Sequence, residues 1–340
     1  MKIFYSPTHQ SHSPKTFIYR GKVVASPETP ERADLMAAAL RGAGFTLDKA
    51  EDFGPAPRSK VHTADYLAFL ETVHERWRAM PGATDEVVPN AHPGRHMAHR
   101  PEGIVGLVGY YTADTSAPIT AGTWEAAVAA AHCATQAAEV VLNGERGAYA
   151  LCRPPGHHAF ADMAGGFCFL NNTAIAAEHL RSRFKRVAIL DIDVHHGNGT
   201  QGIFWRRGDV LTVSIHADPS TYYPWYCGYA EERGEGEGLD ANLNLPLAHG
   251  SGDDVFLETL DQALARIRRF EPHALVMAVG FDTHERDPLG VLKVTTDCYH
   301  EIARRCAALG LPSVLVQQGG YGTADLPLNL LSFLHGFETG

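Results

Sequence analysis

Short apolar runs alternate with helical segments over the second half of the chain, and this alternation restricts the fold more than any other feature. Five such runs read GAYALCR, RVAILDIDV, DVLTVSIHA, HALVMAVGF and PSVLVQQGG. Continuous apolar runs of this length are typical of buried parallel strands. KIFYS, residues 2–6, predicts a further strand near the start. The pattern therefore predicts an α/β fold, a doubly wound parallel sheet with helices on both faces.

The remaining sequence predicts helices and one long irregular segment. Helical patterns cover 26–45, 61–80, 123–142, 171–184 and 255–270. Between 81 and 122 this pattern fails, and the residues are rich in Pro, Gly and His. A loop this long inside a compact domain is usually functional or disordered. Because no change in composition marks a linker, residues 1–340 are expected to form a single domain with a long loop at about 81–122.

Unusual polar groups occur at the ends of all five apolar runs. They are RPPGHH, DIDVHHGNG, SIHAD, GFDTHERDP and QGGYG. In open parallel sheets, ligands bind beyond the carboxyl ends of the strands. The sequence therefore predicts a functional site at that edge of the sheet.

The stretch ILDIDVHHGNGTQ indicates a metal site. Asp191, Asp193 and His195 alternate, so on an extended strand end they point the same way. Two carboxylates on one face of a buried strand are costly unless a cation compensates them, and the stretch contains no Lys or Arg. With Asp282, which follows another apolar run, Asp193 and His195 form a set that suits catalytic zinc with open positions. The ligand types also permit ferrous iron, cobalt or manganese.

Two adjacent histidines, His157 and His158, stand behind a rigid Arg-Pro-Pro-Gly turn. A hydrolytic metal site needs a base and a hydrogen-bonded partner that tunes it. Asp191 and Asn198 are available as partners: an Asp partner favours a charged imidazolium, and an Asn partner leaves the imidazole ready to cycle a proton. Tyr321, after two glycines, is a candidate donor to a developing oxyanion.

The motifs RPPGHHA, GGFCFLNN, DIDVHHGNGTQ, VSIHAD, GFDTHERDPLG and GGYG, preceded by PETPER and VHTADYL, resemble those of the histone deacetylase superfamily in the same order. The resemblance covers nearly the whole chain. It implies the arginase/deacetylase fold, an eight-stranded parallel sheet flanked by helices on both faces. Within the superfamily, the segment 81–122 and DPSTYYPWYCGYAEERGEGEG are most similar to those of the acetylpolyamine amidohydrolases.

The resemblance also implies a role for each candidate residue. Asp193, His195 and Asp282 correspond to the zinc ligands, with Fe²⁺ or Co²⁺ as other possible ions. His158, beside Asn198, corresponds to the general base, and His157, paired with Asp191, to the electrostatic histidine. Tyr321 corresponds to the phenol that polarises the carbonyl. Gly166, Phe167 and Tyr223 correspond to the walls of the tunnel that holds the acylated amine in this family. A structural K⁺ or Na⁺ ion is expected near Asp191, Asp193, His195, Ser214 and Ile215.

The implied reaction is zinc-dependent hydrolysis of the acetyl amide of N-acetylated polyamines or diamines, which releases acetate and the free amine. In the similar subfamily the long loop mediates dimerisation and narrows the entrance, so a homodimer is expected here. Glu102 and Asp114 are the acidic candidates to meet the distal ammonium. The net charge of −10 disfavours nucleic acid as a partner and favours a small cationic substrate.

Three alternatives remain at this stage. The nearest is a protein lysine deacetylase. An arginase-like ureohydrolase would need acidic ligands where positions 197 and 284 are Gly and His, and a non-catalytic binder of acyl amines would lack a ligand or Tyr321. The six cysteines form no CxxC pair, and MKIFYSPTHQ has no apolar signal core, so a cytoplasmic location without membrane association is expected.

Overall fold

A parallel sheet forms the centre of the protein. The computed structural model describes residues 1–321 and 324–340. The strands are β1 Lys2–Tyr5, β2 Thr16–Tyr19, β3 Lys22–Ala25, β4 Leu47–Asp48, β5 Gly147–Leu151, β6 Val187–Asp191, β7 Val210–Ala217, β8 Asn242–Leu247, β9 Ala274–Val279 and β10 Ser313–Gln317. Eight of them pair in parallel in the order β4-β1-β5-β10-β9-β6-β7-β8, and β2 with β3 forms a separate antiparallel hairpin.

Helices cover both faces of this sheet. They are α1 Pro30–Gly42, α2 Ala56–Ser59, α3 Ala64–Arg78, α4 Ile104–Tyr110, α5 Thr123–Leu142, α6 Asn172–Leu180, α7 Asn198–Phe204, α8 Asp253–Phe270, α9 Thr296–Ala307 and α10 Leu326–Thr339. Alternate strand residues face opposite sides. Val187 and Ile189 of β6 therefore join the core that contains α3, α5 and α6, whereas Ala188 and Leu190 join the core that contains α1, α8, α9 and α10.

The predicted α/β fold with an eight-stranded parallel sheet is confirmed. Each of the predicted apolar runs contains a strand, and the three N-terminal helical patterns contain α1, α3 and α5. The pattern did not predict β4 and β8. The first is only two residues long, and the second, NLNLPL, mixes Asn and Pro with its apolar residues. Within the described residues, no helix is both long enough and apolar enough to cross a membrane.

The metal stretch is less extended than the alternation predicts, because β6 ends at Asp191. The Asp191 carboxylate accepts the Asp193 N–H at 3.1 Å, and the Asp193 carboxylate accepts the His195 N–H at 2.9 Å. Such bonds from a carboxylate to the backbone two residues on compete with the strand ladder. Asp193 and His195 consequently lie on a loop of consecutive turns beyond the strand.

The segment 81–122 is more regular than expected. Its apolar stretch around Leu107 and Val108 forms α4 and is buried. Val87 and Ile119 pair their backbones at 2.9 and 3.1 Å and so join the two ends of the segment. The segment also pairs with the main chain near Ala164, since the Ala113 N–H donates to the Ala164 carbonyl at 2.7 Å. The segment thus packs against α3 and the loop after β5, although its residues 93–100 are exposed.

Candidate active site

The polar loops at the carboxyl edge of the sheet converge on one cavity of about 830 Å³. His158, His195 and Tyr321 lie along it, and these residues follow β5, β6 and β10 respectively. Phe167 and Tyr223 stand on its walls. The parallel arrangement accounts for this convergence, because strands that run in the same direction end at the same edge.

Three potential metal ligands meet at the base of the cavity. One ligand atom each of Asp193, His195 and Asp282 lies within 4.8 Å of the other two. The His195 Nδ1 atom is 3.2 Å from Asp193 Oδ1 and 3.3 Å from Asp282 Oδ2. Gly319 approaches this group closely: its N–H donates to Asp193 Oδ2 at 2.8 Å, and a Cβ at this position would lie 2.1 Å from Asp282 Oδ2.

The chemistry of these donors fits a divalent cation. Asp282 Oδ2 is buried and has no hydrogen-bond partner among the described residues. Burial and the neighbouring Asp193 carboxylate raise the pKa of Asp282 to about 6. Although burial opposes its charged form, His195 beside the two carboxylates has its pKa raised to about 10. Positive charge next to the two buried carboxylates would therefore stabilise them, and a metal ion supplies it. One nitrogen with two carboxylates is a donor set that zinc uses.

His157 pairs with an acid. Its Nδ1 atom lies 2.9 Å from Asp191 Oδ2, and its Nε2 atom lies 3.8 Å from Asp193 Oδ1. Burial disfavours the imidazolium, but the Asp193 and Asp191 carboxylates outweigh burial and raise the pKa of His157. The pairing with Asp191 therefore favours the imidazolium form of His157.

His158 pairs with a neutral amide. Its Nδ1 atom donates to Asn198 Oδ1 at 2.7 Å, which leaves Nε2 free to accept a proton. Burial and the imidazoles of His157 and His195 hold the pKa of His158 well below its usual range. The rings of His157 and His158 are 4.0 Å apart, so the two neighbours share one site although their pKa values are shifted in opposite directions. Asp191 and Asn198 thus take the two partner positions expected from the sequence.

Tyr321 lies on the other side of the site. Its ring is 5.7 Å from that of Phe167, and its N–H donates to Asp287 Oδ2 at 2.7 Å. Burial raises the pKa of Tyr321 well above its usual value, so its hydroxyl remains a proton donor. Of the GGYG motif, Gly322 lies outside the described residues.

Sequence reasoning missed a buried ion-pair group behind Tyr321. The Arg32 guanidinium lies 4.6 Å from the centre of the Tyr321 ring and donates to the Gln318 carbonyl at 2.9 Å. The Glu28 carboxylate accepts hydrogen bonds from Arg32 at 2.8 Å and from Arg153 Nη2 at 3.0 Å. Glu28 and Arg32 belong to the PETPER stretch, whose three charged residues at the start of a helix were the available signal.

The β2–β3 hairpin is a second feature that the sequence reasoning missed. Phe17, Tyr19 and Arg20 line the cavity, and the Phe17 ring contacts that of Phe167 at 5.5 Å. The signal was TFIYRGKVVA, two apolar strands separated by a turn that contains Gly. Tyr222 was missed as well: its ring stacks on that of His195 at 4.9 Å and 11°.

The other predicted residues are placed as follows. Asp114 lies behind the wall, where its carboxylate accepts the Tyr223 hydroxyl at 2.5 Å. Glu102 is exposed and is not among the described residues that line the cavity. For the expected K⁺ or Na⁺ ion, β6 and β7 place Asp191 opposite Ser214, with Ile215 next to it. Binding of a monovalent cation there stays a prediction, as does contact of Glu102 with the substrate.

Comparison with known proteins identifies the family to which the chain is similar. Residues 26–337 match the histone deacetylase domain. The acetylpolyamine amidohydrolase of Burkholderia pseudomallei is 47% identical over 338 residues, which cover 99% of this chain and 98% of that protein. A crystal structure of acetylpolyamine aminohydrolase from B. pseudomallei matches with a TM-score of 0.96 at 47% identity, covering 99% and 98% of the two chains.

A more distant structure supports the same assignment. The HDA15 HD domain matches with a TM-score of 0.82 at 27% identity, covering 98% of this chain and 87% of that one. The family domain spans almost the whole described sheet together with the convergent site at its carboxyl edge. The chain therefore belongs to the histone deacetylase family and is a hydrolase of acetyl amides.

Proposed function

We propose that the protein hydrolyses the acetyl amide of small N-acetylated diamines and polyamines, with Zn²⁺ as its metal. The observation that carries the proposal is the arrangement at the base of the cavity. A triad of metal-ligand type lies there beside two histidines with different partners and a buried phenol. The names of the acetylpolyamine relatives support the substrate class.

Asp193, His195 and Asp282 would hold the metal ion. When bound, such an ion supplies Lewis acidity to a carbonyl and lowers the pKa of water to about 7. His158 is the proposed base, because it lines the cavity and the Asn198 contact at Nδ1 leaves Nε2 free to accept a proton. His157 is the proposed electrostatic histidine, because the Asp191 carboxylate beside it favours the imidazolium form.

The remaining chemistry belongs to the substrate and to side chains of the protein. Tyr321 would donate a hydrogen bond from its hydroxyl to the carbonyl oxygen as negative charge develops there. His158 would take a proton from the attacking water and return it to the amide nitrogen. Once the water oxygen has bonded to the carbonyl carbon, the C–N bond breaks and the amine leaves with the returned proton. The acyl group leaves as acetic acid, which loses the second water proton to solvent and becomes acetate.

Replacement of Tyr321 by Phe is expected to lower kcat by about 10²–10³-fold, because it removes a single donor to the developing oxyanion. KM should change little, since the ring that contacts Phe167 remains. Steady-state kinetics with acetylcadaverine measures both constants. Tyr226→Phe is the matched control, because that side chain is 89% exposed and should leave kcat unchanged. A wild-type kcat in Tyr321→Phe would mean that the phenol only fills space.

The cavity suits a thin, flexible amine. Phe17, Phe167 and Tyr223 provide apolar walls for a methylene chain. Arg20 and His249 lie among the lining residues, and the described part of the lining contains no carboxylate side chain. Attraction for a cation therefore comes from the net charge of −10 rather than from one acidic contact at the rim.

A panel of substrates tests the proposed class. We expect higher kcat/KM for acetylputrescine, acetylcadaverine or acetylspermidine than for acetyl-lysine peptides, measured as release of acetate. The advantage of the cationic amines should shrink as salt is added, because exposed charges are screened beyond about 8 Å at physiological ionic strength. A panel in which the peptides are the better substrates would favour the second candidate, a protein lysine deacetylase.

We also propose a homodimer in which the segment 81–122 restricts the entrance. Residues 93–100 of this segment are exposed in the single chain. The parts of the segment on either side of them are bonded to the rest of the chain and to each other, through Val87 with Ile119 and Ala113 with Ala164. Deletion of 93–100 is expected to give a monomer by light scattering and to raise activity on bulky acetylated peptides relative to acetylcadaverine. An intact protein that is already monomeric at assay concentration would contradict this proposal.

A further inference from the structure

The Asp114 carboxylate is engaged by the protein on both oxygens. Oδ2 accepts the Tyr223 hydroxyl at 2.5 Å and the Gly166 N–H at 3.1 Å, while Oδ1 accepts the Ser116 N–H at 2.7 Å. Its partners come from its own segment, from the loop after β5 and from the loop after β7. Asp114 thus links three separate parts of the chain behind the cavity wall.

These contacts support the most constrained part of the wall. Gly166 and Phe167 have φ of +50° and +67°. A left-handed conformation costs a residue with a side chain roughly 1–2 kcal/mol, so Phe167 needs support from its surroundings. A Cβ at position 166 would lie 2.3 Å from His158 Cδ2 and 2.8 Å from the Tyr223 hydroxyl oxygen. The Gly166 main chain that Asp114 holds therefore lies directly against the proposed base.

Tyr223 provides a second route from Asp114 to His158. The Tyr223 ring meets the His158 ring edge-on, with centroids 4.9 Å apart and planes at 85°. Its hydroxyl points toward Asp114, so the ring is fixed from its far end. A shift of the Asp114 carboxylate would move both walls beside His158, the one at Gly166 and the one at Tyr223.

We propose that Asp114 is a positioning residue, which fixes the wall formed by Gly166, Phe167 and Tyr223 around His158 for every acyl amine that enters. This role differs from contact with the distal ammonium, the role expected from the sequence. The inference rests on the proposed function, because it concerns the same cavity. It predicts that loss of the Asp114 carboxylate affects charged and neutral substrates alike.

Two substrates of equal shape separate these roles. N-Acetylcadaverine ends in an ammonium, and N-hexylacetamide carries a methyl group in its place. Asp114→Asn keeps the size of the side chain but replaces one acceptor by an NH₂ group, which cannot accept an N–H from Gly166 or Ser116. We expect kcat/KM to fall roughly 10–100-fold for both substrates by the same factor, because a charged hydrogen bond is lost.

Tyr223→Phe removes the hydroxyl from the same network. It should lower kcat/KM for both substrates in parallel, and in the double variant the two losses should not add, since both act through one set of contacts. Asp85→Asn is the matched control: this carboxylate lies in the same segment, is 80% exposed and pairs with Arg78 at 2.9 Å. Exposed pairs contribute little, so this variant should retain wild-type kinetics.

Each other outcome decides against the inference. A loss confined to acetylcadaverine in Asp114→Asn would mean that the carboxylate meets the distal ammonium directly. Wild-type kinetics in Asp114→Asn with both substrates would mean that the network does not set the wall. If the unsubstituted protein hydrolysed neither N-acetylcadaverine nor N-hexylacetamide, the proposed function would be overturned and this inference with it. The first two outcomes leave the proposed function standing.

Discussion

His158→Ala is expected to remove nearly all turnover, with kcat lower by about 10³-fold or more, because general acid–base catalysis typically contributes about 10²–10⁴-fold. His158 is the histidine whose partner is neutral: Asn198 binds Nδ1 and leaves Nε2 free to cycle a proton. His157→Ala should retain more activity, since the pairing with Asp191 favours an imidazolium that does not cycle a proton. Steady-state kinetics of both variants with acetylcadaverine provides the comparison.

The comparison requires that both variants be folded and loaded with metal, which circular dichroism and metal analysis establish. His335→Ala is a suitable control, because that imidazole is exposed on α10, and it should have wild-type kcat. If His157→Ala were the more damaging of the two, the roles of the adjacent histidines would be reversed. The Asn198 contact would then serve only to orient a neutral ring.

Loss of the metal is the other large effect that we expect. The purified protein should carry about one divalent transition ion per chain, and Asp193→Ala or Asp282→Ala should lose both the ion and the activity. Each carboxylate supplies one of the three ligand atoms that lie within 4.8 Å of one another. Elemental analysis by mass spectrometry after dialysis measures the content and identifies the metal.

Asp254→Ala controls for the general effect of removing an acid, since Asp254 is exposed at the start of α8, and this variant should keep its metal. Two ions per chain at the site would contradict the single-metal interpretation and favour the arginase-like alternative. Retention of the ion in both Asp193→Ala and Asp282→Ala would place the metal elsewhere.

The convergence of the site could be predicted because it follows from topology. His158, Asp193, Asp282 and Tyr321 each follow a different strand of one parallel sheet, so the sequence pattern of strand followed by polar residue is enough to bring them together. The local path of Asp193 and His195 could not be predicted in this way. Carboxylate-to-backbone bonds end β6 at Asp191, and alternation alone does not anticipate such bonds.

The walls of the cavity were harder to predict than its base. Asp114 contacts Gly166 and Tyr223, which are 52 and 109 residues away in the chain, through loops that have no periodic pattern. The sequence showed only an acid in a long loop, and the contact of Asp114 with the distal ammonium was implied by the family resemblance alone. Phe17 lies on a short hairpin apart from the main sheet, and the alternation of strands and helices carries no information about it.

The central claim is that this site acts on small acetylated amines, and a competition assay tests it most directly. Acetylcadaverine and acetylated folded histone are incubated together with the metal-loaded protein at equal concentrations of acetyl groups. The ratio of the two rates of product formation then equals the ratio of the two kcat/KM values. We predict a higher kcat/KM for acetylcadaverine than for the acetylated histone. Faster deacetylation of the histone in the same vessel would contradict the account and identify a protein deacetylase.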